Sequence, residues 1–164
     1  MVALIAAAVI AVPWTQPVRF RHLAGWTTGT SGTVRTATSA DGRVYRLRYA
    51  ESTAWIANVP YRDPTTADPP ARTVHRMPKD GIVVWAVIEP PSGAKNRISL
   101  DIGQAGQGLC CDGTPPPYTR EWDLVGLGLT GRYEVIVRVY FGSKPNRARQ
   151  GRAQRALHAI VLPT

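Results

Sequence analysis

Residues 132–141 read RYEVIVRVYF, the most regular alternation in the chain. Tyr133, Val135, Val137, Val139 and Phe141 fall on one face of an extended backbone, and Arg132, Glu134, Ile136, Arg138 and Tyr140 on the other. Period two, carried by β-branched and aromatic side chains, predicts a strand with one face in a core. Upstream, GIVVWAVIE at 81–89 is the most apolar stretch of the body; bounded by Gly81 and Pro90-Pro91, it reads as a central strand covered on both faces. TVRTAT at 33–38 and RVYRLRYA at 43–50 flank an Asp41-Gly42 turn and read as a hairpin whose Arg46 and Arg48 face water. TAWIANV at 53–59, RISLDI at 97–102 and ALHAIVL at 156–162 add further short strands. The Pro-rich stretch 60–81 is a long connection, within which ARTVHRM at 71–77 has room for about two turns of helix. Many short strands with long Pro/Gly connections predict an all-β fold, an antiparallel β-sandwich over residues 33–164.

The composition agrees with a single globular domain. The chain has 164 residues, 44% of them apolar, with 15 Gly and 14 Pro, enough for one core and many turns. The formal charge is +9, which attracts anions of any kind: nucleic acid, lipid head groups or acidic wall polymers. Basic residues number 6, 6 and 8 over residues 1–49, 50–100 and 101–164, so neither terminus is a concentrated binding arm. The most basic stretch, 143–155, has no aromatic residue to stack on bases, which counts against a nucleic-acid module.

Residues 1–12, MVALIAAAVIAV, are uninterrupted apolar sequence ending at Pro13-Trp14. As a helix they extend roughly 18 Å, short of the roughly 30 Å of a bilayer core, and they have the length of a signal-peptide core. The Ala content suits a helix and Trp14 suits a membrane interface. A Lys/Arg-rich start is missing, and Arg19 and Arg21 follow the run. The expectation is a membrane anchor or signal segment over residues 1–18, belonging to a longer apolar segment that starts upstream. Residues 19–32, rich in Gly, Thr and Ser, then form a linker to a domain outside the membrane.

Leu129-Thr130-Gly131-Arg132-Tyr133 leads straight into the strong strand. This stretch resembles the tyrosine corner of immunoglobulin-like and fibronectin-like sandwiches, in which a Tyr near the start of strand F returns its hydroxyl to the backbone upstream. The resemblance covers about a dozen residues and assigns Gly131 and Tyr133 a structural role. It implies strand E near 122–128, strand F at 132–141 and strand G at 156–162, with Trp85 as the core tryptophan. The disulfide between strands B and F of antibody domains has no counterpart, because the only two cysteines are adjacent.

Candidate chemistry is sparse. GLGLTG at 126–131 spells the dinucleotide fingerprint GxGxxG, but a strand follows it where a phosphate-binding helix is required. Cys110-Cys111 is a disulfide or redox candidate, and as a nucleophile it lacks a His placed by any motif; His22, His75 and His158 are isolated. Asp101, Asp112, Glu121 and Asp123 surround the loop at 103–121 without the spacing of a calcium loop, and no zinc pattern is present. The sequence thus offers no metal site, no cofactor and no catalytic set. The best binding candidate is SKPNRARQGRAQR at 143–155, read as a loop between strands F and G, with Lys144, Arg147, Arg149, Arg152 and Arg155 and no acid. The function expected is a non-catalytic binding or assembly module outside the cytoplasm. Its partner would be an anionic membrane surface, a wall polymer or a protein. A Cys-dependent enzyme centred on 103–121 and a basic nucleic-acid binder are the two alternatives.

Overall fold

The computed structural model describes residues 18–37, 47–61, 76–89, 100–103, 118–128 and 131–162. The apolar segment, Cys110, Cys111, His75 and Asp112 lie outside the described residues, as does most of the expected helix at 71–77.

The described chain is mostly β. In chain order it forms β1 (Arg19–Phe20), β2 (Thr27–Ala37), β3 (Leu47–Ala57), β4 (Ile82–Glu89), β5 (Thr119–Gly128), β6 (Gly131–Phe141), the helix α1 (Arg147–Leu157) and β7 (Ile160–Val161). The five long strands make one antiparallel sheet in the order β2-β3-β4-β6-β5, while β1 and β7 form a separate two-stranded ribbon. The 81–89 stretch is the middle strand of the sheet, as its unbroken hydrophobicity requires, and residues 82–88 are all buried.

Alternation divides the core into two. On one face Ala54 and Ile56 of β3, Ile82, Val84, Ala86 and Ile88 of β4, and Val135, Val137, Val139 and Phe141 of β6 pack with Ala153, Ala156 and Leu157 of α1 and with Val18 and Phe20. This is the apolar row predicted for 132–141, confirmed from Val135 onward. On the other face Ala57, Val83, Trp85, Val87 and Tyr140 pack with Tyr61 and Met77. The register aligns Gly29, Trp55, Trp85, Arg138 and Glu121 in one row across the five strands. Gly29 has a reason to be there: a Cβ at that position would come within 2.5 Å of the Trp55 indole. In the same row the Arg138 guanidinium lies over the Trp85 ring, 5.6 Å from its centroid, a cation–π contact that keeps a charge in a position only 7% exposed.

Several expectations are corrected by the structure. Residues 27–32, read as linker, are the first half of β2, because Thr27 to Gly32 pair with Ala57 back to Ser52 and tertiary pairing overrides a weak local preference. The described part of the strand expected at 43–50 and most of that expected at 53–59 belong to one continuous strand, β3 (Leu47–Ala57), whose two ends pair with the two ends of β2. Leu100 and Ile102, expected in a strand, are instead held against α1. The assignment of 122–128 and 132–141 to strands E and F fails on topology. Those strands belong to opposite layers of an immunoglobulin-like sandwich, whereas β5 and β6 are neighbours in one sheet, in register from Thr119↔Tyr140 to Gly128↔Gly131. Gly131 and Tyr133 accordingly lie at the start of the second strand of a hairpin, Tyr133 opposite Gly126. The GxGxxG letters fall on the same hairpin, so no helix follows them.

The largest correction concerns residues 143–157. They are not a loop running into a strand: α1 occupies Arg147–Leu157, and the strand expected at 156–162 shrinks to β7. Asn146 caps the helix, its Oδ1 accepting the Arg149 N–H at 3.0 Å. Ala153, Ala156 and Leu157 repeat at helical spacing, which points them together at the sheet. Pro145-Asn146 ahead of this spacing is the signal in the sequence that points to the helix.

Candidate basic site around the helix

The basic site is built on α1 and the residues on either side of it. Burial of Ala153, Ala156 and Leu157 fixes which side of the helix meets solvent. Arg147 and Arg155 lie two turns apart on that outer side with Gly151 between them, all exposed. Lys144 is exposed just before the cap and Arg152 is half-buried on the flank. Among the described residues, none of these four side chains has a hydrogen bond, ion pair or ring contact, and residues 143–162 contain no acid.

Arg149 differs from the other cations. Its Nη1 donates to the carbonyl of Lys79 and to Ser143 Oγ at 2.6 Å, and its Nη2 donates to the Lys144 carbonyl at 2.6 Å. Ser143 Oγ also donates to the Lys79 carbonyl at 2.9 Å, and the Gly142 N–H donates to the Gly81 carbonyl at 3.0 Å. The guanidinium therefore ties the turn at 78–81 to the β6–α1 connection. A Cβ on Gly142 would collide with the Pro78 carbonyl, which shows how closely the two segments pack. The sequence grouped Arg149 with the binding cations; the structure assigns it to holding two loops together.

At the other end of the helix Arg21 Nη2 donates to the His158 carbonyl at 2.7 Å, and the Arg21 N–H donates to the Ala159 carbonyl at 2.8 Å. A cation at the negative end of the helix dipole is favourable. Arg19, one strand residue away, is exposed. His158 is exposed, with its Nε2 2.8 Å from Gln154 Nε2. An amide nitrogen only donates, so the ring nitrogen is the acceptor in this contact. Gln154 also donates to the Leu100 carbonyl and accepts the Ile102 N–H at 2.8 Å, holding that segment as a paired strand would.

The remaining candidates are scattered. His22 is exposed beside β1, and Asp101 accepts the Gly103 N–H at 2.8 Å in a local turn. Glu121 and Asp123 take register positions on β5 opposite Arg138 and Ile136. Among the described residues no three His, Cys, Asp or Glu side chains are grouped to hold a metal, and no helix is long and apolar enough to cross a membrane. The sequence reading missed Arg21 and Arg120 as neighbours of α1, since only the pairing of distant strands brings them there.

No protein-family model, curated protein or solved structure matches the chain.

Proposed function

We propose that this chain is a non-catalytic β-module, held at the outer face of a membrane by its apolar N-terminal segment, that engages an anionic surface through the outer side of α1. The observation that carries the reading is the set of cations Lys144, Arg147, Arg152 and Arg155, without a partner among the described residues, on or beside one short helix without an acid. Surface cations normally find carboxylates; a helix that carries only cations costs self-repulsion and leaves Arg147 at the positive end of its own dipole. That cost has a use where an opposing negative surface offsets it. Lipid head groups are the favoured anion, because the apolar leader would keep the domain within a Debye length of them. The sandwich reading enters as part of this proposal: Val83, Trp85, Val87 and Tyr140, each about 1% exposed on the face away from α1, support a second layer over that face.

The test compares the full chain on vesicles of phosphatidylcholine with and without phosphatidylglycerol. The expected result is a preference for the anionic vesicles that weakens with salt. It should fall roughly thirtyfold in Arg147→Gln/Arg155→Gln, two charges at about 1 kcal/mol each. A preference unchanged by the double substitution would overturn the reading, while apolar insertion alone would show as equal binding to both vesicles.

A further inference from the structure

The start of β5 and the β6–α1 connection enclose a cleft of about 260 Å3, lined by Tyr118, Thr119, Arg120, Phe141, Lys144 and Gln150. Backbone pairing sets its two walls. Thr119 lies opposite Tyr140 in the β5–β6 register, and the Phe141 N–H donates to the Tyr118 carbonyl at 3.3 Å. Phe141 and Thr119 are buried and Tyr118 is half-buried, so the cleft has a firm, partly apolar base. Arg120 enters from the strand wall and Lys144 from the connection wall. Among the described residues neither side chain has a hydrogen bond or ion pair, and no carboxylate lines the cleft.

Two cations facing one small concavity repel each other unless an anion sits between them. An oxyanion with oxygens in several directions satisfies both walls at once, the Arg as a fork and the Lys as a point charge. A volume just below the roughly 300 Å3 at which drug-sized pockets begin suits that anion with a few carbon atoms attached. The half-buried Tyr118 supplies surface for those carbons, and Gln150 supplies an amide for a hydroxyl.

We propose that this cleft binds a small phosphate ester, its phosphate between Arg120 and Lys144 and its polyol carbons against Tyr118. The site goes beyond the surface reading above, since it uses Arg120 and a concavity, and does not depend on Arg147 or Arg155.

The probe is glycerol 3-phosphate, titrated into the full chain at low ionic strength and followed by calorimetry and by amide shifts of residues 118–120 and 150. Saturable binding is expected, at least tenfold weaker in Arg120→Gln and in the exposed Lys144→Gln, and within twofold of the parent in Arg147→Gln/Arg155→Gln. Absence of saturable binding, or affinity within twofold of the parent in both Arg120→Gln and Lys144→Gln, overturns the proposal. Inorganic phosphate binding as tightly as the ester overturns the ester assignment. The phosphatidylglycerol vesicles distinguish the sources. Weakened vesicle binding in Arg120→Gln supports a lipid headgroup in the cleft, and unchanged vesicle binding with lost glycerol 3-phosphate binding supports a free ester. Failure of the surface reading shows only in Arg147→Gln/Arg155→Gln on vesicles, so the two outcomes are separable.

Discussion

Arg149 and Arg147 are two residues apart, carry the same charge and do opposite work. Arg147 is exposed with no partner among the described residues, whereas Arg149 gives its donors to the carbonyls of Lys79 and Lys144 and to Ser143 Oγ. Arg149→Gln is therefore expected to lower stability by about 1–3 kcal/mol in urea unfolding, the scale of hydrogen bonds to a charged donor reduced by partial exposure. Arg147→Gln is expected to leave stability within about 0.5 kcal/mol. Equal losses in both variants would show that the clamp is not what Arg149 provides. Nothing in SKPNRARQGRAQR separates these arginines by type. The distinction comes from where the turn at 78–81 docks, and that follows from the β4–β6 pairing at Ile82↔Phe141. Arg138 teaches the same lesson: its place in an alternating strand is plain in the sequence, but the Trp85 ring beneath it is visible only once β4 lies beside β6.

At the scale of elements, α1 is the piece the sequence described least well. Seven of its eleven residues are Arg or Ala, both good helix formers, yet the sequence reading makes the stretch a loop. A Cβ at Gly151 meets nothing within 4 Å, and the position is exposed in the middle of the helix. Gly151→Ala is thus expected to stabilise the protein by about 0.5–1 kcal/mol, read as a rise in Tm. A fall would mean that the glycine is needed for a close approach on the outer side of the helix. The strands were better legible. Alternation in 132–141 and the apolar run 81–89 needed only side-chain periodicity, and both elements are present with nearly those limits. The Thr/Gly/Ser tract at 27–32 had no such pattern. Its strand is imposed by eleven pairings with β3 rather than by its own side chains.

For the whole molecule, the helix is the tie between the sheet and both described ends. Leu157 is fully buried in the cluster with Ile82, Val137 and Phe20, and the Arg21 and Ala159 backbone bond draws the β1–β7 ribbon onto the same place. Leu157→Ala is expected to cost about 2–5 kcal/mol. Because one core joins α1, the sheet and the ribbon, helix ellipticity and tryptophan fluorescence should still lose structure in a single coincident transition. Two separate midpoints would show that α1 is an appendage rather than part of the core.

The amino-acid sequence alone settled that the chain is β-rich, which strand is central, and that Val135, Val137, Val139 and Phe141 share one buried face, since these depend on periodicity and apolar content, properties that each segment carries by itself. The tertiary structure decided that five strands share one sheet, that β5 and β6 form a hairpin instead of crossing between layers, that the basic segment is a helix, and which of its cations are bound to the described residues. Those outcomes turn on pairing between distant segments, where backbone hydrogen bonds and shared burial outweigh local preferences of a few tenths of a kcal/mol per residue.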